Sequence, residues 1–266
     1  MADEQVRLGG MALQNGVLVH GPTSWACAVR DDGGVLQVEA GAKPRFAPEA
    51  RKRIPVLRGP LALAESFALL PAVRRSLPAA RFPFERPAVV GSVAATVVAG
   101  RLLRRSSLPP GRRELLAIAL SFLPALQALR GPDLASYHGA EHISIGTYEA
   151  GGVRAPKEHP RCGSQLVPPL VVSSLLANVA ASKAPAGSKG LARILGTTLA
   201  VGGSIEIFAW VARNPEHPLA RVLARPGLEL QRHLSTAEPS EEQLEVADAA
   251  RDACLVLERT AADGAR

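Results

Sequence analysis

The chain has 266 residues, of which 47% are hydrophobic and 4% aromatic, and its mean hydropathy is +0.10. This hydropathy is high for a soluble protein and low for a chain made wholly of spans, which indicates a protein partly embedded in a membrane. The formal charge of +7 does not indicate a nucleic-acid partner, because the arginines form scattered short clusters without interleaved aromatic residues. Anionic headgroups of a lipid bilayer are the simpler partner.

Cysteine usage and the first residues bear on the cellular compartment. The three cysteines, Cys27, Cys162 and Cys254, are far apart in sequence and odd in number, so they predict no disulfide framework. Residues 1–5 are acidic and lack the basic segment and apolar run of a signal peptide. We therefore expect a reducing compartment and insertion into the bacterial inner membrane through internal segments.

Residues 1–60 predict an aqueous, β-rich segment. Its short β-prone runs lie at 17–19, 25–29 and 35–38. The Asp-Gly and Gly-Gly steps at 31–34 are typical of a hairpin turn. Residues 41–60 combine basic residues with prolines, which indicates a connector. A helix at 61–73 is expected next, within an interfacial segment that covers 61–87.

Four apolar stretches are candidates for membrane spans. They lie at 88–103, 115–129, 166–181 and 191–212. A span needs about twenty mostly apolar residues, and only the last stretch reaches that length cleanly. Basic residues flank three of the four, so we favour two pairs of short transmembrane helices, at 88–130 and 165–212, over buried helices of a soluble α-bundle. Arginines on both sides of the first stretch leave the orientation open.

The C-terminal segment at 213–266 predicts a second aqueous part. Ser240 and Gln243 form a capping box, and apolar residues recur at helical spacing behind it. We expect this amphipathic helix to dock on the N-terminal β-rich segment. The predicted fold class is a mostly α membrane protein, with about four short transmembrane helices and a small aqueous α+β portion formed by both termini and a central polar loop at 131–164.

The central polar loop contains residues that can carry chemistry. His138, Glu141 and His142 form an H-x-x-E-H motif, which on a helix places both imidazoles one turn apart with the carboxylate beside them. Two such imidazoles can share a metal ion, and in zinc hydrolases the glutamate of this motif acts on the bound water. Gly139 weakens the helix that the motif requires.

His159 and Cys162 follow in the same polar loop, and Glu149 adds a carboxylate. Thiolate and imidazole ligands together suit zinc or a similar divalent metal. The alternative is that the histidines are solvated hydrogen-bonding residues and that Cys162 is a small buried residue.

Charged residues outside the loop give further candidates. Glu206 lies in the most span-like stretch, where a carboxylate is costly unless it faces a cavity, a cation or an arginine such as Arg193. Arg58 and Glu65 have the spacing of an ion pair at a helix start.

A series of short motifs occurs in order from about residue 8 to about residue 255. The motifs are Gly9-Gly10-Met11-Ala12, Gly16-Val17, Gly21-Pro22, Arg58-Gly59, Glu65-Ser66, Tyr137-His138-Gly139-Ala140-Glu141-His142, Tyr148-Glu149, His159-Pro160-Arg161-Cys162-Gly163, Pro226-Gly227-Leu228, Leu230-Gln231, and Glu238-Pro239 followed by 243–247. Together they resemble the YqhQ-like family of bacterial membrane proteins. The resemblance implies a multi-span membrane protein, often labelled a predicted metal-dependent enzyme, and adds Tyr137 and Arg161 to the candidates.

Three positions depart from the pattern of that family. Asn15 stands where a Glu usually precedes Gly-Val, Ile143 where a Lys commonly follows the second motif His, and Ser164 where a Thr commonly follows Cys-Gly. A metal ligand or base at the first position would be missing from this chain.

The leading hypothesis is a membrane-embedded metal-binding protein, a zinc-dependent hydrolase of unknown substrate. His138, His142 and either His159 or Cys162 would bind the metal, and Glu141 would act as general base. The second hypothesis is a non-catalytic membrane assembly factor, whose cluster holds the loop to the termini. A small transporter built around Glu206 is third. An enzyme requires an open cleft at the cluster, a structural site a closed set of ligands, and a transporter a cavity lined by Glu206.

Overall fold

The computed structural model describes residues 5–46, 61, 64–131 and 133–264, so Arg58 lies outside the described residues. The first part of the chain forms an antiparallel sheet in the order β1-β2-β3-β4. Its strands are β1 (Gly9–Ala12), β2 (Gly16–His20), β3 (Ser24–Arg30) and β4 (Leu36–Ala42). Gly34 in the β3–β4 turn has a φ of 79°, a conformation that glycine adopts without strain. The predicted β-structure and hairpin are confirmed.

The rest of the described chain is mostly helical. The helices are α1 (Leu70–Ser76), α2 (Pro87–Arg105), α3 (Pro110–Ser121), α4 (Leu123–Leu129), α5 (Leu134–Glu149), α6 (Val167–Ser182), α7 (Lys189–Arg213), α8 (Pro218–Leu230) and α9 (Glu241–Gly264). Residues 64–68 are also helical. Short 3-10 helices lie at Pro83–Glu85, Gly163–Leu166 and Ala186–Ser188, and a short π-helix lies at Gln231–Ser235.

The two faces of the sheet are covered by different helices. On one face, Val17, Val19 and other small apolar residues pack against α5 and α9 in a common core. On the opposite face, Leu18 and Trp25 pack against α1 and its flanks, where Val73 is fully buried. The segment that follows residue 63 therefore covers the sheet with its apolar side chains.

The C-terminal helix forms as its capping box predicts. The backbone N–H of Gln243 donates to the Ser240 hydroxyl, and the Gln243 side-chain carbonyl accepts from the backbone N–H of Ser240. This helix, α9, contacts β2, β3 and β4, which confirms the expected docking on the N-terminal sheet.

Three helical segments are long and apolar enough to cross a membrane, namely Pro87–Arg105, Gly163–Ser182 and Lys189–Arg213. At most 22% of the apolar window of each is buried inside the protein, so most of their apolar surface faces outward. Leu199, for example, is 74% exposed. Helices with this exposure are expected in lipid rather than in the core of a soluble bundle.

The fourth predicted span, at 115–129, is not a single straight helix. It is divided into α3 and α4 at Phe122, beside Pro124, which has no N–H to continue the helical ladder. It meets the length and hydropathy expected of a span only together with α5, from which it is bent by 86°. α5 itself packs against the sheet and α9.

Glu258 joins the end of α9 to the turn between β2 and β3. Its carboxylate accepts hydrogen bonds from the backbone N–H groups and the hydroxyls of Thr23 and Ser24. A Cβ at Gly21 would clash with this carboxylate, so a larger residue in the turn would displace it from its hydrogen bonds. Burial acts to raise the pKa of Glu258, but the hydrogen bonds from Ser24 and Thr23 prevail and hold it below its ordinary value.

We expect Glu258→Gln to lower the free energy of unfolding by about 1–3 kcal/mol at neutral pH, because the charge that accepts these bonds is lost. Since the folded-state pKa is lowered, the stabilisation is present above the ordinary carboxyl pKa and disappears as the pH falls through the lowered pKa. Denaturant titration of the detergent-solubilised protein across this pH range measures both effects.

The matched control is Glu245→Gln on the same helix. Glu245 pairs with Arg30 at the surface, where its side chain is 61% exposed, so the change should cost no more than about 1 kcal/mol. Equal losses for the two variants would contradict the special role of Glu258.

Candidate metal centre

The H-x-x-E-H motif lies on α5, which is an unbroken helix through Gly139. The rings of His138 and His142 are one turn apart, with centroids separated by 4.4 Å. Gly139 does not interrupt the helix. The Ala237 carbonyl lies against it, where an added Cβ would clash. Glycine at this position therefore lets the segment before α9 pack directly on α5. This contact explains why a residue that weakens a helix stands inside the motif.

Backbone carbonyls orient both imidazoles. Nδ1 of His138 lies 2.8 Å from the Ser235 carbonyl oxygen, and Nδ1 of His142 lies 2.6 Å from the Lys157 carbonyl oxygen. A carbonyl can only accept, so each Nδ1 carries the proton and each Nε2 keeps a free lone pair. In metal sites, a carbonyl that accepts from the far ring nitrogen in this way orients the histidine toward the ion.

Cys162 completes a group of three potential ligands. Its Sγ lies 3.4 Å from Nε2 of His138, and one ligand atom from each of His138, His142 and Cys162 lies within 4.8 Å of the other two. Two imidazole nitrogens and one sulfur suit zinc or a similar borderline divalent ion. The donor atoms of this group therefore fit a metal.

A fully buried glutamine holds the loop that presents Cys162. The Gln231 side-chain carbonyl accepts from the backbone N–H of His159 at 2.7 Å, and its amide donates to the His159 carbonyl and the Ser164 hydroxyl. Cys162 lies between these two anchored residues. The position of its sulfur is thus fixed by a contact some 70 residues away in sequence.

Glu141 lies beside the group without belonging to it. Within the described chain its carboxylate has no hydrogen-bond donor, and it faces Gly10, where an added Cβ would come within 2.6 Å of Oε1. Burial raises the pKa of Glu141 to about 7, against the opposing effect of His138. Burial, with His138 adding to it, lowers the pKa of His142 to about 2, so this imidazole is in its neutral, metal-binding form.

A cavity of about 620 Å³ adjoins the group. Its polar wall includes Glu141 and the three potential ligands, and its apolar wall includes Ile205 and Phe208 of α7. This volume is typical of a small-ligand site. The group is therefore open to a cavity between the sheet and a candidate span.

His159, Glu149 and Arg161 form a second cluster next to the ligands. Nε2 of His159 lies 3.2 Å from a Glu149 carboxylate oxygen, and its Nδ1 accepts the backbone N–H of Arg161 at 3.3 Å. The Arg161 guanidinium pairs with the same carboxylate. Because both ring nitrogens of His159 are engaged, the geometry favours Cys162 as the third ligand.

The family follows from comparison with known proteins. Residues 118–256, just over half of the chain, match the model of a family described as protein of unknown function (DUF1385). The chain belongs to the DUF1385 family. The matched stretch contains α5, Cys162 and the buried Gln231.

The chain is also similar to the uncharacterized protein YqhQ of Bacillus subtilis (strain 168). The two are 30% identical over 129 residues, which are 46% of this chain and 40% of that protein. The match thus spans less than half the length of this relative, and it confirms the resemblance to the YqhQ-like family. No solved structure matches the chain.

The other predicted candidates lie away from the ligand group. Tyr137 is buried in the core between the sheet, α5 and α9. Glu65 is buried and accepts the backbone N–H of Phe46 at 2.9 Å. Glu206 does not line the cavity, and the described residues include no ion pair between Glu206 and Arg193.

Asn15, which replaces the Glu usual in the family, has a structural role here. Its side-chain amide donates to the carbonyls of Arg30 and Ala79, and its Oδ1 accepts the backbone N–H of Arg81. A carboxylate could not make the two donations. Asn15 does not line the cavity either, so the replacement removes nothing from the candidate metal centre.

His20 lines the cavity and was missed by sequence analysis. Its Nδ1 lies 3.0 Å from Nζ of Lys43, and its Nε2 lies 3.3 Å from the Ser66 hydroxyl. Burial, with Lys43 adding to it, lowers the pKa of His20 to about 4. The sequence feature that could have identified His20 is its position at the end of a short β-prone run, on the sheet face opposite that of Val19.

Proposed function

We propose that this member of the DUF1385 family is a membrane-embedded, metal-dependent hydrolase. The observation that carries the proposal is that His138, His142 and Cys162 converge at the wall of a cavity, with Glu141 beside them. Catalytic zinc sites have three protein ligands and an open position, whereas structural sites are closed by four. The open cavity supports the enzyme over a purely structural site.

In the proposed hydrolysis each residue of the site has a separate role. His138, His142 and Cys162 would hold a divalent ion, which would supply Lewis acidity for the activation of water. The Ser235 and Lys157 carbonyls keep both Nε2 atoms directed inward. Glu141 is not required as a ligand, so its carboxylate accepts a proton from water and returns it to the leaving group.

The proposed hydrolase activity is tested by following the incorporation of oxygen from water into a product. Purified protein is incubated in ¹⁸O-labelled water with a detergent extract of membranes, and products are analysed by mass spectrometry. We expect pairs of products whose masses sum to that of one substrate plus one water, with one product carrying the label. Product formation without incorporated label would contradict hydrolysis.

The proposal includes a multi-pass location in the bacterial inner membrane. The three apolar helices support it, as do the basic residues at their ends, such as Arg104 and Arg105 of α2 and Lys189 and Arg213 of α7. Basic side chains at helix ends reach the headgroup region while the apolar surface stays in lipid.

We expect the protein to remain in the membrane pellet after alkaline carbonate and high-salt washes, because burial of apolar surface in lipid is not screened by salt. Immunoblotting of pellet and supernatant measures this, with a peripheral protein of the same membrane as the released control. Recovery of the protein in the supernatant would instead support a soluble bundle.

A further inference from the structure

The strand β1 is the edge of the sheet and lines the cavity at the candidate metal centre. It has β2 on one side, and in the sheet order no strand of the described chain follows on the other side. All four of its residues, Gly9 to Ala12, contribute to the wall of the cavity. The cavity therefore runs along the open edge of a β-sheet.

The turn after β1 determines which of its residues bond to β2. Leu13 donates its N–H to the Gly16 carbonyl at 2.8 Å, so these two residues form a hydrogen-bonded pair. Hydrogen-bonded and non-hydrogen-bonded pairs alternate along an antiparallel ladder. In the observed register the next bonded pair is consequently Met11 with Leu18.

The bonds on the other side of β2 give the same alternation. Gly21 donates its N–H to the Ser24 carbonyl at 3.0 Å, which marks a bonded pair in the β2–β3 register. By alternation Val19 also bonds to β3, and its partner across β1 is Gly10. The backbone groups of Val19 are therefore not available to Gly10.

Gly10 and Ala12 thus direct their N–H and C=O groups away from β2, at the edge where both residues line the cavity. Within the described chain, these groups have no backbone or side-chain partner. Proteins usually block such edges, since they pair readily with another extended chain. Here the open edge begins beside Glu141, which faces Gly10.

We propose that the substrate is an extended peptide segment, which binds as an added strand hydrogen-bonded to Gly10 and Ala12. The inference rests on the proposed hydrolase and names its substrate class. Strand addition is an established mode of peptide recognition, in which main-chain bonds give affinity and pockets read alternate side chains.

The reaction is hydrolysis of a peptide bond next to the added strand. The oxygen of water bonds to the carbonyl carbon, the C–N bond breaks, and the proton taken up by Glu141 passes to the nitrogen of the leaving amine. The products are a carboxylate and an amine, so the step needs only water.

The apolar wall indicates which peptides fit. Ile205 and Phe208 lie on α7, and Ile205 is eight residues before the helix end at Arg213, which corresponds to about 12 Å along the axis. Apolar side chains of a bound segment would contact this wall. The favoured substrate is therefore an apolar, extended segment next to a membrane.

Hydrogen exchange tests strand addition without relying on catalysis. The full-length Glu141→Gln protein, loaded with zinc in detergent, is exposed to deuterated water with a pool of proline-free octapeptides rich in Val, Ile and Leu. We expect exchange of the Gly10 and Ala12 amides to slow by about tenfold or more, while Gly9 and Met11, already bonded to β2, change little. A short-chain phospholipid at the same concentration should leave all four amides unchanged.

The variant Ala12→Pro tests whether the outward N–H of Ala12 contributes to peptide binding. It removes an outward N–H and no β1–β2 bond, and proline is tolerated at strand edges, so it should weaken peptide binding by about tenfold while Ala12→Ser does not. Peptide binding without slowed exchange at Gly10 and Ala12, or protection by the phospholipid alone, would overturn the proposal. Protection of the edge without any hydrolysis by the wild type would instead contradict the hydrolase and leave strand addition standing.

Discussion

Replacing Glu141 with glutamine is expected to slow hydrolysis by about 10²–10⁴-fold, because the amide keeps the shape of the side chain but cannot accept a proton. Metal content should stay at the wild-type level, since Glu141 lies outside the three-ligand group. Label incorporation from ¹⁸O water measures the rate, and elemental analysis of the same preparation measures the metal.

Glu149→Gln is the matched control for this loss. Glu149 lies in the same segment and contacts His159 and Arg161, but it does not line the cavity. Its replacement should change the rate by less than about tenfold, the lower end of the effects seen for residues that only support metal ligands. A Glu141→Gln protein as active as the wild type would refute the general-base role, and loss of its metal would make Glu141 a ligand.

Single substitutions of the three ligands are expected to reduce metal affinity by more than about 100-fold, beyond the roughly 10–100-fold typical of changes to residues that hydrogen-bond the ligands. The variants are His138→Ala, His142→Ala and Cys162→Ser. The control is His159→Ala, which should retain the metal because both ring nitrogens of His159 already have other partners. Competition with a chromogenic chelator measures the affinities.

Cobalt substitution identifies the sulfur ligand independently. Cobalt-loaded wild type should show a thiolate-to-metal charge-transfer band, which Cys162→Ser should lack and His159→Ala should keep. A cobalt-loaded wild type without this band, together with loss of metal affinity in His159→Ala and not in Cys162→Ser, would exchange the roles of these two residues.

Local patterns in the sequence predict most of the elements of this fold. Alternating β-prone runs and the Asp-Gly step predict the sheet, and a capping box predicts the start of α9. The spacing of His138, Glu141 and His142 is sufficient to place them on one helix face. These features depend on neighbouring residues, so sequence analysis can identify them.

Features set by long-range contacts were not predictable. The position of Cys162 depends on Gln231, 72 residues from His159 in sequence, and the orientation of His138 depends on the Ser235 carbonyl, 97 residues away. Asn15 resembles a lost site residue in sequence, yet in the structure it joins two loops away from the cavity. His20 enters the cavity only through the arrangement of the sheet, which its local sequence does not reveal.

The metal content of the purified wild-type protein tests the central claim most directly. After purification in detergent without chelators, inductively coupled plasma mass spectrometry should find about one equivalent of zinc or a similar divalent ion per chain, as expected for a single site with three protein ligands. Protein that is folded but metal-free, and that takes up neither zinc nor cobalt when these are added, would contradict a metal centre at His138, His142 and Cys162.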